Sequence, residues 1–136
     1  VIHYDRRWLT IRWDDTIEAV ILQWKSYAEG KDYRESLEAA LALVRQRHAT
    51  RWLSDSRRLG PIRQEDQLWT VENFSPRLNA HGVRWVAIVS PQAAVSRLSV
   101  KQILTKTTSS SEIVSVVFDS PERAREWLRN PTKPTV

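Results

Sequence analysis

Residues 51–61 read RWLSDSRRLGP: an apolar start, a polar turn at Asp55-Ser56, two arginines and a Gly-Pro break. A serine hydroxyl between a carboxylate and the guanidinium of Arg57 has the makings of a nucleophile or of an anion-holding rim. In open α/β sheets, ligands gather at the carboxyl ends of parallel strands. Three strand ends in this chain carry short polar turns: Asp55-Ser56, Ser90-Pro91 and Asp119-Ser120. Lys25 and Arg57 fall on the same border. Backbone N–H groups at helix N-termini point there too and favour anions. The rim is therefore a candidate site for a phosphate or carboxylate. An equally physical account makes Ser90 and Ser120 helix N-caps and Asp55 a turn brace, and residue types alone leave both open.

Nucleophilic catalysis at Ser56 needs a base within hydrogen-bond reach and a group to orient it. The three histidines, His3, His48 and His81, fall at the N-terminus and at two helix ends opposite the rim, and no G-x-S-x-G elbow occurs. No catalytic residue is assigned. Scattered histidines without H-x-x-x-H spacing predict no metal site. Three glycines, Gly30, Gly60 and Gly82, are too few for a phosphate-cradling loop, and no cofactor is expected. Glu65 and Asp66 open a helix, where acids complement the dipole. Arg58, Arg63 and Trp69 are the candidate partner surface, because arginine forks and exposed tryptophan are common anchors. Trp13, Trp24, Trp85 and Trp127 fit a core or an interface, and Trp52 packs under the rim.

Positioning these residues falls to elements read from periodicity. Residues 8–13, WLTIRW, alternate as a half-buried strand, with Leu9, Ile11 and Trp13 on one face. Residues 17–24 are nearly continuously apolar, as in a strand covered on both faces. The turn between them is short, so the pair is antiparallel. Tyr33, Leu37, Ala40, Leu41 and Val44 mark a helix over 32–47, opened by an Asp32/Glu35 capping box. Strand 51–54 follows, parallel to the one before the helix. A second helix over 64–80 carries Leu68, Val71, Phe74 and Leu78 on one stripe, with a kink or break near Phe74 caused by Pro76. Gly82 caps it. Strand 83–89 leads to Ser90-Pro91 as N-cap and first helical residue of a short turn over 91–98. Ser99 with Gln102 opens another helical segment. Residues 105–111 form a mobile polar loop, 113–118 a strand, and Ser120-Pro121 start a last helix ending at Asn130-Pro131.

Composition sets the outer bounds. The chain has 136 residues and fits a single domain, core about 8–129 and frayed tail 131–136. No cysteine is present, which excludes disulfides and thiolate chemistry. No run of about 18 apolar residues exists to span a membrane. The start, VIHYDRRW, has neither a signal-peptide core nor a methionine, so the native start is expected to be removed or absent from this chain. A cytoplasmic location is expected. Lys and Arg exceed Asp and Glu by 21 to 16, but the charge is dispersed rather than gathered into a stripe, so no nucleic-acid partner is expected.

The order β-β-α-β-α-β-α-β-α predicts an α/β fold: a mostly parallel sheet of about five strands with one antiparallel edge strand. Together with RWLSDSRRL, EDQLWTVENFSPR, VRWVAIVSP and FDSPERAREWL, it resembles the SpoIIAA-like proteins of the STAS fold. These are related by fold to lipid-binding modules of the SEC14 type. The resemblance covers about residues 8–129. In anti-sigma factor antagonists the corresponding strand leads into Asp-Ser-Ser or Asp-Ser-Thr and then Gly-Leu, and the second hydroxyl accepts a phosphate. Here Asp55 and Ser56 match the first two positions, Arg57 takes the third, and Leu59-Gly60 stand reversed. The resemblance implies a non-enzymatic STAS-like binding or regulatory module. It would act through a protein partner, with Ser56 the candidate phosphorylation site; apart from the resemblance, an edge strand or a tryptophan-bearing helix is a candidate homodimer contact. The alternative it implies is a carrier of a small molecule or lipid, which requires an apolar cavity between the sheet and the helices around residues 64–104.

Overall fold

The computed structural model describes residues 1–107 and 111–134. Six strands form one sheet: β1 (Ile2–Arg6), β2 (Leu9–Asp14), β3 (Ala19–Trp24), β4 (Arg51–Asp55), β5 (Trp85–Val89) and β6 (Val114–Phe118). Their spatial order follows the sequence, β1-β2-β3-β4-β5-β6. β1/β2 and β2/β3 pair antiparallel, and β3 to β6 run parallel. The helices are α1 (Gly30–Arg47), α2 (Gln64–Trp69), α3 (Ser75–Ala80), α4 (Ala94–Lys106) and α5 (Pro121–Arg129). A π-helical turn, Thr70–Phe74, joins α2 to α3. None of the described helices is long and apolar enough to cross a membrane.

Sequential parallel order has a strong consequence. Each β-α-β crossover is right-handed, and each steps the same way along the sheet, so α1, α2–α3 and α4 all land on one face. That face holds the larger core, including Leu9, Ile11, Val20, Leu22, Trp24, Trp52, Val86 and Ile88. The opposite face presents Ala19, Ile21, Leu53, Ala87 and Val89, covered through Ala124 and Leu128 by α5. Trp127 closes the edge of this second core, its ring 6.0 Å from Trp85 and 5.6 Å from Phe118.

The α/β class and the mostly parallel sheet agree with the sequence reading, with one strand more. β1 escaped notice because it is an edge strand whose side chains are mostly exposed, leaving no alternating apolar signal. The α1 stripe is buried as expected, but the helix begins at Gly30 with no side-chain cap. The Asp32/Glu35 pair therefore does not form the expected capping box. Ser90-Pro91 does not cap a helix either. α4 begins at Ala94 and runs unbroken through Ser99, whose hydroxyl bonds the Val95 carbonyl at 3.3 Å and accepts from the Ile62 N–H at 3.0 Å. The last cap is as read: Ser120 Oγ accepts from the Arg123 N–H at 3.2 Å. The loop expected over 105–111 starts later, since α4 reaches Lys106, and residues 108–110 and 135–136 lie outside the described residues.

The expected break near Phe74 takes a particular form. The Ser75 N–H reaches back to the Thr70 carbonyl, a π-type bond, one residue ahead of Pro76. The extra residue in that turn shifts the inward face. Asp66, Thr70, Phe74 and Leu78, spaced by four, are buried, while Leu68 is 54% exposed. Trp69, read as a possible partner anchor, turns inward instead. It stacks on Phe74 at 5.8 Å, meets Tyr33 edge-on at 6.4 Å, and lies under the Arg34 guanidinium.

Candidate functional site: a cavity beneath the helices

The carboxyl ends of β3 to β6 line up on one border, because Gln23, Asp55, Val89 and Phe118 are in register. Successive strands lie about 4.8 Å apart, so the border from residue 25 to residue 119 spans roughly 14 Å. It is stitched by backbone bonds from Ser56 N to the Val89 carbonyl at 3.1 Å and from Ser90 N to the Phe118 carbonyl at 2.9 Å.

The side chains on that border do not converge. Lys25 turns away to bind Asp5 at 2.9 Å, and that bond holds the Asp5 carboxyl below its usual range. Arg57 folds back on Asp55 through two bonds of 3.0 and 2.8 Å, which raises its own pKa. Asp119 is exposed and paired with Arg123 at 3.5 Å, and Ser120 is occupied as a cap. Arg58 is exposed, and Arg63 pairs with Glu29 and Glu65. Ser56 is 2% exposed. Its hydroxyl points inward, 2.9 Å from Ser54 Oγ, so a kinase would reach it only after the loop opens.

What lies inward is a cavity of about 150 Å³ between the sheet and the helices. Its floor is Leu22 and Trp24 of β3, Trp52 and Ser54 of β4, and Val86 and Ile88 of β5. Its walls are Tyr33 and Leu37 of α1, Phe74 of the π turn and Leu78 of α3, and Val100, Ile103 and Leu104 of α4. Leu59 and Ile62, buried residues of the arginine-bearing loop, close one end. A second depression of about 260 Å³ lies between α4 and β6 and shares Val100 and Leu104 with the first.

Two local features account for the space. Ser54 sits in register between Leu22 and Ile88, on the central strand pair of the sheet. A small side chain there leaves a gap that a branched aliphatic residue would fill. α4 then fails to fill it from above: the buried residues of this helix are Ser96 and Ser99, while Val100, Ile103 and Leu104 are half-buried. The π turn and loop are held firmly at the same time. Asp66, 1% exposed, accepts from the Gly30 N–H at 2.8 Å and from Arg34 Nε at 3.2 Å, tying α2 to the start of α1. At Gly60 an added Cβ would lie 2.9 Å from the Tyr27 Cα, so the close approach of these two segments requires glycine.

The cavity wall is chemically plain. Among the described residues it carries no Lys, Arg, His, Asp or Glu. Its polar side-chain groups are hydroxyls and the indole N–H groups of Trp24 and Trp52, and several of the hydroxyls are spent within the protein. Thr70 donates to the Asp66 carbonyl at 2.7 Å, so the Tyr33 phenol donates to Thr70 Oγ1 at 2.8 Å. Burial pushes the Tyr33 pKa further up, which keeps it a neutral donor. The three histidines are exposed and outside the wall, and no group of metal-ligating side chains occurs among the described residues. Asp66 and Ser54 were missed as site residues by the sequence reading, which put Ser56 on the rim and not facing the interior beside Ser54. Ser54 had one visible signal, a serine at an inward position of an otherwise apolar strand.

No protein-family model matches the chain, and no curated protein matches it. Among solved structures, it is similar to an uncharacterized protein of the DUF3478 family from Shewanella loihica, described as having a SpoIIAA-like fold. The identity is 14%, over 88% of this chain and 91% of that one, with a TM-score of 0.60. At that identity the likeness concerns the backbone alone: the chain has a SpoIIAA-like fold.

Proposed function

We infer that this STAS-like module works by enclosing a small apolar molecule beneath its helices, without making or breaking bonds in it. One observation carries the reading: the apolar cavity of about 150 Å³ lies where a carrier requires it, between the sheet and the helices around residues 64–104. A cavity of that size lined mainly by aliphatic and aromatic side chains has room for a benzene-sized guest. The absence of any acid, base or cation from its wall favours holding over catalysis. The test is native mass spectrometry of the purified chain together with xenon uptake. A co-purified small mass or a bound xenon supports the reading; an empty spectrum with no xenon site removes it.

Contact with a protein partner is the second reading. Arg57 and Arg58 are exposed beside the border. α2 and α4, which pack together, expose Leu68 (54%), Val95 (63%) and Leu98 (54%). Reversing Arg57 and Arg58 to Glu is expected to lose a captured partner while the unfolding midpoint holds; unchanged capture counts against this reading. Phosphoryl transfer to Ser56 enters it only through an opened loop, because the hydroxyl faces the cavity.

A further inference from the structure

Resting on the cavity reading, we propose that the occupant is an uncharged, single-ring-sized molecule bearing one hydroxyl or carbonyl group, read by the Ser54–Ser56 hydroxyl pair. Size comes from the volume, about 150 Å³, which suits one aromatic or alicyclic ring with short substituents. Neutrality comes from the wall. A carboxylate or ammonium would lose hydration there and find no counter-charge among the described wall residues.

The polar handle follows from a count of protons. Tyr33 and Thr70 have spent theirs on one another and on the Asp66 carbonyl. Thr107 donates to the Ile103 carbonyl at 2.9 Å. Ser115 is exposed and Ser75 half-buried on α3, so both keep water. The Ser54–Ser56 pair is different. It holds two hydroxyl protons, and the 2.9 Å bond between the oxygens consumes one. The remaining acceptor for the other is the Ser54 carbonyl, 3.5 Å from Ser56 Oγ, at the limit of a hydrogen bond. Ser54 is half-buried although it sits between the buried Leu22 and Ile88 under the helices, so its accessible surface is cavity wall. The pair therefore presents both a donor and free lone pairs to the interior, whereas the indole N–H groups of Trp24 and Trp52 in the same wall can only donate. A guest with a hydroxyl or carbonyl satisfies both; a pure hydrocarbon leaves them unmatched.

The experiment is calorimetric titration of the full chain at neutral pH with three probes of like size: phenol, toluene and benzoate. Phenol is expected to bind about tenfold more tightly than toluene, the worth of one net hydrogen bond, with benzoate undetected. Ser54→Ala and Ser56→Ala should each bring phenol down to the toluene level and leave toluene unchanged. Toluene equal to or tighter than phenol in the unaltered chain overturns the hydroxyl readout, and benzoate as the tightest probe overturns neutrality. If none of the three binds, the ligand class is overturned, and xenon uptake separates the cases: a bound xenon spares the cavity reading, and no xenon removes both.

Discussion

Ser54 occupies a position on β4 where its register neighbours, Leu22 and Ile88, are both buried aliphatics. Filling a cavity is among the common ways to stabilise a domain at the expense of a binding site. Ser54→Val should raise the unfolding free energy by about 1 kcal/mol and abolish xenon uptake, read from the urea midpoint and a pressurised crystal. An unchanged midpoint with xenon still bound would show that the gap does not lie over residue 54. Asp66 makes the opposite case. Asp66→Ala leaves the half-buried Gly30 N–H and Arg34 without their partner, so a loss of about 1–2 kcal/mol is expected. Arg34→Ala should cost less, since Arg34 is 41% exposed. The sequence placed Ser56 at the end of β4, but not its turn into the interior. That orientation depends on the backbone bonds of the 55–59 turn. Asp66 read as a dipole partner because nothing local reveals a contact with Gly30, 36 residues away.

Among the elements, the joined helix α2–α3 shows how a local irregularity sets the inward face. The buried positions Asp66, Thr70, Phe74 and Leu78 follow a spacing of four, which a straight α-helix of 3.6 residues per turn cannot keep on one side. Deleting Val71 should convert the π turn to plain α-helix and rotate Asp66 away from Gly30 and Arg34. Far-UV circular dichroism is expected to hold while stability falls by about 2 kcal/mol or more; an unaltered midpoint would mean the turn is not needed. A straight-helix template put Leu68 inside and Trp69 outside for the same reason: it had no means of counting the inserted residue. Helix α5 offers a pH test. Asp14, 8% exposed, accepts from Thr16 Oγ1 and N–H at 2.5 and 2.9 Å and from Arg125 at 2.8 Å. Burial raises its carboxyl pKa, but these bonds outweigh it and hold the group well below the usual carboxylate range. A depressed native pKa adds stability that is complete above the unfolded value of about 4 and lost as pH falls below it. Asp14→Asn should therefore be less stable by about 1–2 kcal/mol at pH 7, with the difference narrowing toward pH 2 in urea titrations. A constant difference across that range would deny Asp14 this role.

At the scale of the whole molecule, a guest that binds the folded state alone adds stability by mass action. At a hundredfold excess over its dissociation constant the gain is about 2.7 kcal/mol, which for a chain of 136 residues raises the melting temperature by roughly 8–12 °C. Calorimetry with phenol checks that figure, and a flat melting temperature at saturating concentration would contradict guest binding. The class and the parallel core were legible because hydrophobic period and crossover handedness are properties of local stretches. The cavity was not, because it is a shortage shared among β4, α4 and the π turn, and no one segment announces what its neighbours fail to fill. The arrangement of helices also bears on how the molecule comes into being. With three crossovers on one side, the surface formed by Ile21, Leu53, Ala87 and Val89 has α5 as its cover. A growing chain on the ribosome thus carries that greasy surface bare until residues 121–129 have been made, and early release or stalling in the stretch before them would yield a product prone to clump.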